Sequence, residues 1–369
     1  MFGRLKYNLI FYFVVFYVVH SNLFAQDQRL RFDNISVKEG LSQTSVGAIV
    51  QDKYGFLWFG TQDGLDRFDG YDFKTFKHNP LDSNSISDSY INCLFKDSEE
   101  NLWIGTELGL DKYDYDNEIF IDYRHIEGNK NSLDNNFVSV VYEAPSKPGI
   151  LWIGTKHGLN SFNTRKKTFT RYSLPNSNIL NQTNYIIYEI YEAPSEPGIL
   201  WIGTPVGLLR YNIETNDFTT FLKSETKNSL SDNFVNVIFE DNSSNLWIGT
   251  SNGLNVYDRK NQQFFAYYTE PGNMHSLGHS NVSAIYQDSR NNLWFGTWGS
   301  GISLFDPEKK DFASWANEPG NPKSISSNFV TQIYEDNSGI LWFGTQNAGV
   351  NKMNPNIKNI RHYYHNPNN

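Results

Sequence analysis

The sequence predicts an all-β protein built from one repeated unit, and three observations carry that prediction. The pentapeptide Leu57-Trp58-Phe59-Gly60-Thr61 recurs as Leu102-Trp103-Ile104-Gly105-Thr106, and five more times with its tryptophan at Trp152, Trp201, Trp247, Trp294 and Trp342. Successive tryptophans stand 45, 49, 49, 46, 47 and 48 residues apart, and a period of about 40–50 residues is the length of one four-stranded blade. Aromatics are dense, at 27 Phe, 22 Tyr and 9 Trp against 3 Met, a profile that suits packed, pleated strands. The expected fold is a seven-bladed β-propeller of four-stranded antiparallel blades, spanning residues 26–358. Residues present in all seven copies, the tryptophans above all, do a structural job. Function belongs where the copies differ.

The second repeat shows how each blade is made. Ile91 to Asp97, Leu102 to Thr106, Leu110 to Asp114 and Ile119 to His125 are four short apolar-rich runs separated by turns. Neighbours such as Leu102 and Trp103 point to opposite faces of a strand, so both faces of the blade are apolar and both need covering. A blade held between two others meets that need. Gly109, Gly158, Gly207 and Gly253 fall three residues after the signature threonine, where a tight hairpin calls for positive φ. Gly60 and its equivalents sit inside a strand, which marks close approach by a neighbouring backbone. In the first copy the runs are Val46–Asp52, Leu57–Thr61, Leu65–Asp69 and Phe73–Lys77.

Both ends of the chain carry information. Arg4 and Lys6 precede eleven apolar residues, Leu9 to Val19, then a polar break and Ala25. That is the form of a secretory signal ending at Ala25, and it is too short for a membrane span of about 20 residues. Its removal takes away two cations and no acid, which moves the net charge from −9 to −11. An acidic exported chain is a poor partner for nucleic acid. Cys93 is the only cysteine, so no internal disulfide forms, and its apolar run marks it as a small buried residue. Arg29 to Ser36 forms a lone leading strand, expected to complete the last blade near Val350 to Asn354 and so close the ring. His365-Asn366-Pro367 repeats His78-Asn79-Pro80, so residues 359–369 read as the start of a further repeat in a longer protein.

The pattern Gln51-Asp52, then Gly55-Phe56-Leu57-Trp58-Phe59-Gly60-Thr61, then Gly64-Leu65-Asp66-Arg67-Phe68-Asp69-Gly70 resembles the two-component regulator propeller repeat. The resemblance covers residues 29–365. It implies the periplasmic sensor region of a hybrid histidine kinase, in which a second propeller, a membrane helix and a kinase accompany repeats of this kind. Many such sensors recognise oligosaccharides. The implied partners are therefore an oligosaccharide, those further portions of a longer protein, and a second copy in a homodimer. The sequence in hand holds one propeller and no kinase or regulator segment, which makes it an input module without its output.

No catalytic residue, metal or cofactor is assigned from the sequence. Arginines are too sparse for a sialidase-like cluster, and Arg165-Lys166-Lys167 and Lys309-Lys310 fall in turns. The Asp-x-x-x-x-Leu-Trp pattern has the wrong spacing for a sialidase Asp-box, which is itself structural. Asp111, Asp114 and Asp116 lack the spacing of a calcium loop, and the 8 histidines lack metal-ligand spacing. A ligand is expected on the rim shared by the second-to-third and fourth-to-first connections, where the repeats vary near the axis. The candidates are Gln62, Asp63, Lys156, His157, Trp298, Gln346 and Asn347. Trp298, outside the signature, is either a sugar platform or a loop tryptophan packed on the next blade. Lys156 and His157 either meet an anionic group or form an exposed polar loop. The expected function is oligosaccharide sensing in the periplasm, with a protein-interaction scaffold and a carbohydrate-active enzyme as the alternatives.

Overall fold

The computed structural model describes residues 30–175, 185–226 and 228–355. Within them, seven four-stranded antiparallel sheets follow one another as meanders. The protein is a seven-bladed β-propeller, as its repeat period predicts. Blade one comprises Val46–Gln51, Leu57–Thr61, Gly64–Phe68 and Phe73–Phe76, and blade two Ile91–Lys96, Leu102–Thr106, Leu110–Asp114 and Ile119–Tyr123. The signal segment of residues 1–25 and the further repeat at 359–369 lie outside the described residues.

All five signature positions are buried in every copy. Each tryptophan spans a seam between blades. Trp58 lies 4.9 Å from Tyr113 of blade two, Trp201 5.2 Å from Tyr257 of blade five, and Trp247 5.1 Å from Phe305 of blade six. The in-strand glycines let the next blade come that close. A Cβ at Gly60 would stand 2.6 Å from Ile91, and one at Gly105 2.8 Å from Val138, each the first residue of the following blade. The turn glycines divide: Gly158, Gly207 and Gly253 have φ of 139, 137 and 134°. Gly109 departs from expectation, its turn being made without positive φ.

First strands stop one residue earlier than the sequence implies, because the residue that follows turns away as an acceptor. Asp52 accepts the backbone N–H groups of Tyr54 and Phe56 at 2.9 and 3.0 Å and the Trp58 indole N–H at 2.7 Å. The same aspartate–indole bond recurs at Asp97, Asp241, Asp288 and Asp336, at 2.8 to 2.9 Å. Blades three and four carry Ala144 and Ala193 there instead. Trp201 then donates to Glu196 at 3.3 Å, while the Trp152 indole nitrogen is left without a partner among the described residues.

The ring closes as expected. Asp33–Ile35 pairs antiparallel with Val350–Met353, with Asp33 opposite Lys352 and Ile35 opposite Val350. Phe32 is 1% exposed and packs edge-on to Phe343 at 5.7 Å. Phe32→Ala should lower unfolding free energy by roughly 3–5 kcal/mol in urea denaturation, the usual cost of emptying a buried aromatic site. Asp97→Ala should cost about 1–3 kcal/mol in the same measurement, because it strands the Trp103 indole donor.

Candidate functional site

The first strands of the blades line a central channel, and their register decides what it presents. In six of them the pairing with the second strand shifts after the first residue, as at Val46/Ala48, Ile91/Cys93 and Val138/Val140. Such a bulge turns the extra residue out of the ladder and re-aims its side chain. The bulged residue then reaches across the seam. Asn92 donates to the Val138 carbonyl at 3.0 Å, Ser139 to Ile187 at 2.6 Å, and Asn236 to Val282 at 2.9 Å. Ser283 donates to Val330 and Thr331 to Val46, both at 2.5 Å. Two blades lack this bond: blade one has Gly47, and blade four has Tyr188, whose ring instead lies 4.9 Å from Phe234 of blade five.

Below the bulged residues comes a ring of Ala48, Cys93, Val140, Glu189, Val237, Ala284 and Gln332, and deeper still a girdle of aromatics. Phe95, Tyr142, Tyr191 and Phe239 stand 6.0 to 6.2 Å apart around the wall. Tyr142 accepts from the Glu192 N–H at 3.1 Å, and Tyr334 from the Gln51 N–H at 3.0 Å, so each hydroxyl is tied to the next blade. The cavity enclosed has a volume of about 850 Å³. At its mouth stand Trp298, Phe234, Asn281, Ser251 and Gln346.

Of the residues expected from sequence to bind, the structure brings Trp298 and Gln346 to this mouth. Trp298 packs edge-on to Phe329 of blade seven at 5.9 Å, as its packed-loop reading has it, and is 38% exposed. Gln62, Asp63, Lys156, His157 and Asn347 lie outside the residues lining the cavity. Asp63 pairs with Lys77 at 2.7 Å, His157 meets Asn135 at 3.4 Å, and Asn347 accepts from Ser327 at 2.9 Å. Lys156 is held through its backbone, its N–H to Phe137 and its carbonyl to Tyr185. Cys93 corrects an expectation in part: it is partly buried, packed in the seam against the cluster of Trp103 and Val138, and it also lines the channel. Burial pushes its thiol up to about 12.

Sequence reasoning missed Tyr188 and Glu189. Aligning the seven first strands would have found them, since position two is otherwise glycine or a small polar residue and position three otherwise carries no charge. Glu189 is partly buried, and its carboxylate accepts one hydrogen bond, from the Ile190 N–H at 3.2 Å. Burial pushes this carboxyl up from the ordinary 4.5 to about 8. Asp111, held by the Ser87 N–H at 3.1 Å and hydroxyl at 2.5 Å, is raised to about 7 by the same cause. Among the described residues, no group of side chains is arranged to hold a metal.

The model of the two component regulator propeller family matches residues 40–63, 85–107, 229–252, 276–299 and 324–347. Five of its seven blades thus match the two-component regulator propeller repeat. The matches fall in five blades and skip blades three and four, the two in which alanine replaces the indole-binding aspartate. The extracellular domain of the hybrid two-component system BT3049 from B. thetaiotaomicron is 27% identical with a TM-score of 0.75, over 88% of this chain and 42% of that one. The corresponding domain of BT4673 from the same organism is 22% identical with a TM-score of 0.69, over 89% of this chain and 40% of that one. Histidine kinase P4 of Formosa agariphila is 46% identical over 78 residues, which are 21% of this chain and 6% of the kinase. The chain thus spans less than half the length of these relatives. Streptogramin B lyase, at 15% identity and a TM-score of 0.62 over 88% of this chain and 97% of that one, shares the fold.

The raised carboxyls of Glu189 and Asp111 set a pH dependence. Between the ordinary carboxylate range and about 8, the folded chain holds protons that the unfolded chain has released. Stability should therefore fall as the pH rises from 5 to about 8. The titratable groups facing Glu189 are Cys93, Tyr142 and Tyr191, all raised by burial and neutral across that window. Glu189→Gln should flatten the dependence, as read from urea unfolding at a series of pH values.

Proposed function

We propose that this chain is the ligand-sensing propeller of a hybrid two-component regulator, exported to the periplasm, and that its ligand is an oligosaccharide received at the mouth of the channel. The observation that carries the reading is the mouth itself. Trp298 and Phe329 are 38% and 37% exposed beside the amides of Asn281 and Gln346, over a cavity of about 850 Å³. An aromatic face with amide donors and acceptors is a chemistry that suits sugar rings. The likeness to extracellular domains of hybrid two-component systems supports the setting.

A closed ring of blades stitched at their seams is stiff. The ligand therefore acts on how the propeller meets a second propeller or a second copy, and it shifts that balance only by its differential affinity for the two arrangements. A coupling of about 1–3 kcal/mol is usual. No catalytic step is assigned to this chain.

Titration calorimetry of the purified chain against a panel of neutral oligosaccharides tests the reading. At least one should bind, and Trp298→Ala should weaken it roughly tenfold or more, equivalent to about 1.4 kcal/mol. Binding undiminished in Trp298→Ala would move the site off the mouth. Cleavage of a panel member would turn the protein into an enzyme, and silence across this panel and across the charged oligomers tested below would sink the sensing reading.

A further inference from the structure

The channel wall carries one charge-bearing residue. Among the residues lining the cavity, Glu189 is the only carboxylate, and no lysine, arginine or histidine stands with it. Its equivalents in the other six blades are Ala48, Cys93, Val140, Val237, Ala284 and Gln332. The residue before it departs too, since Tyr188 replaces the small polar stitch and stands 37% exposed at the mouth, its ring tilted against Phe234 at 4.9 Å. Blade four therefore differs from its sisters at two adjacent channel positions. Together these place an acid and an adjacent aromatic pair on the wall of one cavity of about 850 Å³.

We propose that the channel receives the ammonium group of an amine-bearing saccharide, with Glu189 as its counter-charge and the Tyr188–Phe234 pair as its aromatic wall. This deepens the sensing reading above and rests on it. Three arguments converge. An acid in an apolar wall is costly to ionise unless a cation meets it, and Glu189 has no cation among the described residues: its one hydrogen bond is from its neighbour's N–H. Aromatic faces attract ammonium groups, more strongly as the site loses water. The chain's net charge of −9 draws cations toward its surface and repels polyanions. Raised to about 8, the Glu189 carboxyl is largely protonated at neutral pH in the free protein, so an arriving ammonium displaces its proton. The groups facing it, Cys93, Tyr142 and Tyr191, are neutral in that range and do not compete.

The test compares glucosamine oligomers with their N-acetylated counterparts, which share the sugar backbone and differ in charge, by calorimetry on the wild-type chain and on Glu189→Gln. The amine form should bind roughly tenfold or more tightly than the acetylated form, the effect of a charge-assisted bond in a partly dry site. Glu189→Gln should erase that preference while leaving the weaker affinity for the acetylated oligomer. Heats measured at pH 7 in buffers of different ionisation enthalpy should report protons released on binding the amine form. Thermal melts of the two proteins establish that the variant is folded. Equal affinity for the two oligomers, or a preference that survives in Glu189→Gln, would overturn the proposal. If neutral saccharides then still bind at the Trp298 mouth, the sensing reading stands alone; if no saccharide binds, charged or neutral, both fall.

Discussion

Everything in this ring depends on the missing side chain at the fourth position of the signature. Gly60, Gly105, Gly154, Gly249 and Gly296 each lie where a Cβ would stand 2.9 Å or less from a side chain of the next blade. The next first strand is thereby laid directly against the second strand of its neighbour. Once the blades are that close, other contacts become possible: tryptophans that reach the following blade, and bulged residues that donate to its first carbonyl. A second set of bonds fastens the opposite rim. Loop groups of one blade donate to a glutamate or glutamine on the next, as Ser98 does to Glu143, Ser195 to Glu240 and Asn337 to Gln51, at 2.6, 3.0 and 2.8 Å. Hydrophobic burial holds each blade. The glycines decide how the blades are spaced.

The seven seams are not equivalent. Between blades one and two both polar stitches fail, because Gly47 has no side chain and Lys96 occupies the acceptor position. That seam is carried by rings instead. Trp58, Tyr113, Tyr115 and Tyr54 form a chain of edge contacts at 4.9, 5.0 and 5.2 Å, and Arg67 reaches Glu118 at 3.0 Å. Between blades four and five the channel-side stitch is replaced by the Tyr188–Phe234 contact. The outer rim gains a charged cluster in which Glu196 meets Arg210 and Arg259 at 3.3 and 3.0 Å, and Arg259 also meets Glu240. Blade four thus keeps its place by different means, and its channel face is released from the stitching role. A residue freed from holding the ring is where a ligand group has room to act.

How much of this was legible follows from periodicity. The signature strands, the hairpins and the closing strand at Asp33–Ile35 could be read because a pattern repeated seven times leaves little choice of register. The aspartate–indole bond was half legible: its spacing was visible, but not that the carboxylate also caps the turn through Tyr54 and Phe56. The channel was not legible, and the bulge is the reason. Period-two alternation sends neighbouring side chains to opposite faces. A bulge breaks that rule, so that Asn92 and Cys93 both line the cavity, as Tyr188 and Glu189 do in blade four. The rim loops therefore point to Trp298 and Gln346 and not to the acid on the blade-four wall.

That geometry also bears on how a bound ligand is felt. The aromatic girdle of Phe95, Tyr142, Tyr191 and Phe239 narrows the deep end of the channel, with Tyr142 anchored to the next blade's backbone. Swinging Tyr142 would break its bond across the seam. The mouth is different. Trp298 and Gln346 belong to the two lengthened connections, Trp298-Gly299-Ser300-Gly301 and Gln346-Asn347-Ala348-Gly349, which meet through Phe329. A ligand seated in the channel touches rigid wall below and these loops above. Its binding energy can alter only the loops and whatever rests on them. Under the proposed sensing role, so stiff a ring would report occupancy at its rim, by a change in the surface it offers rather than in its own shape.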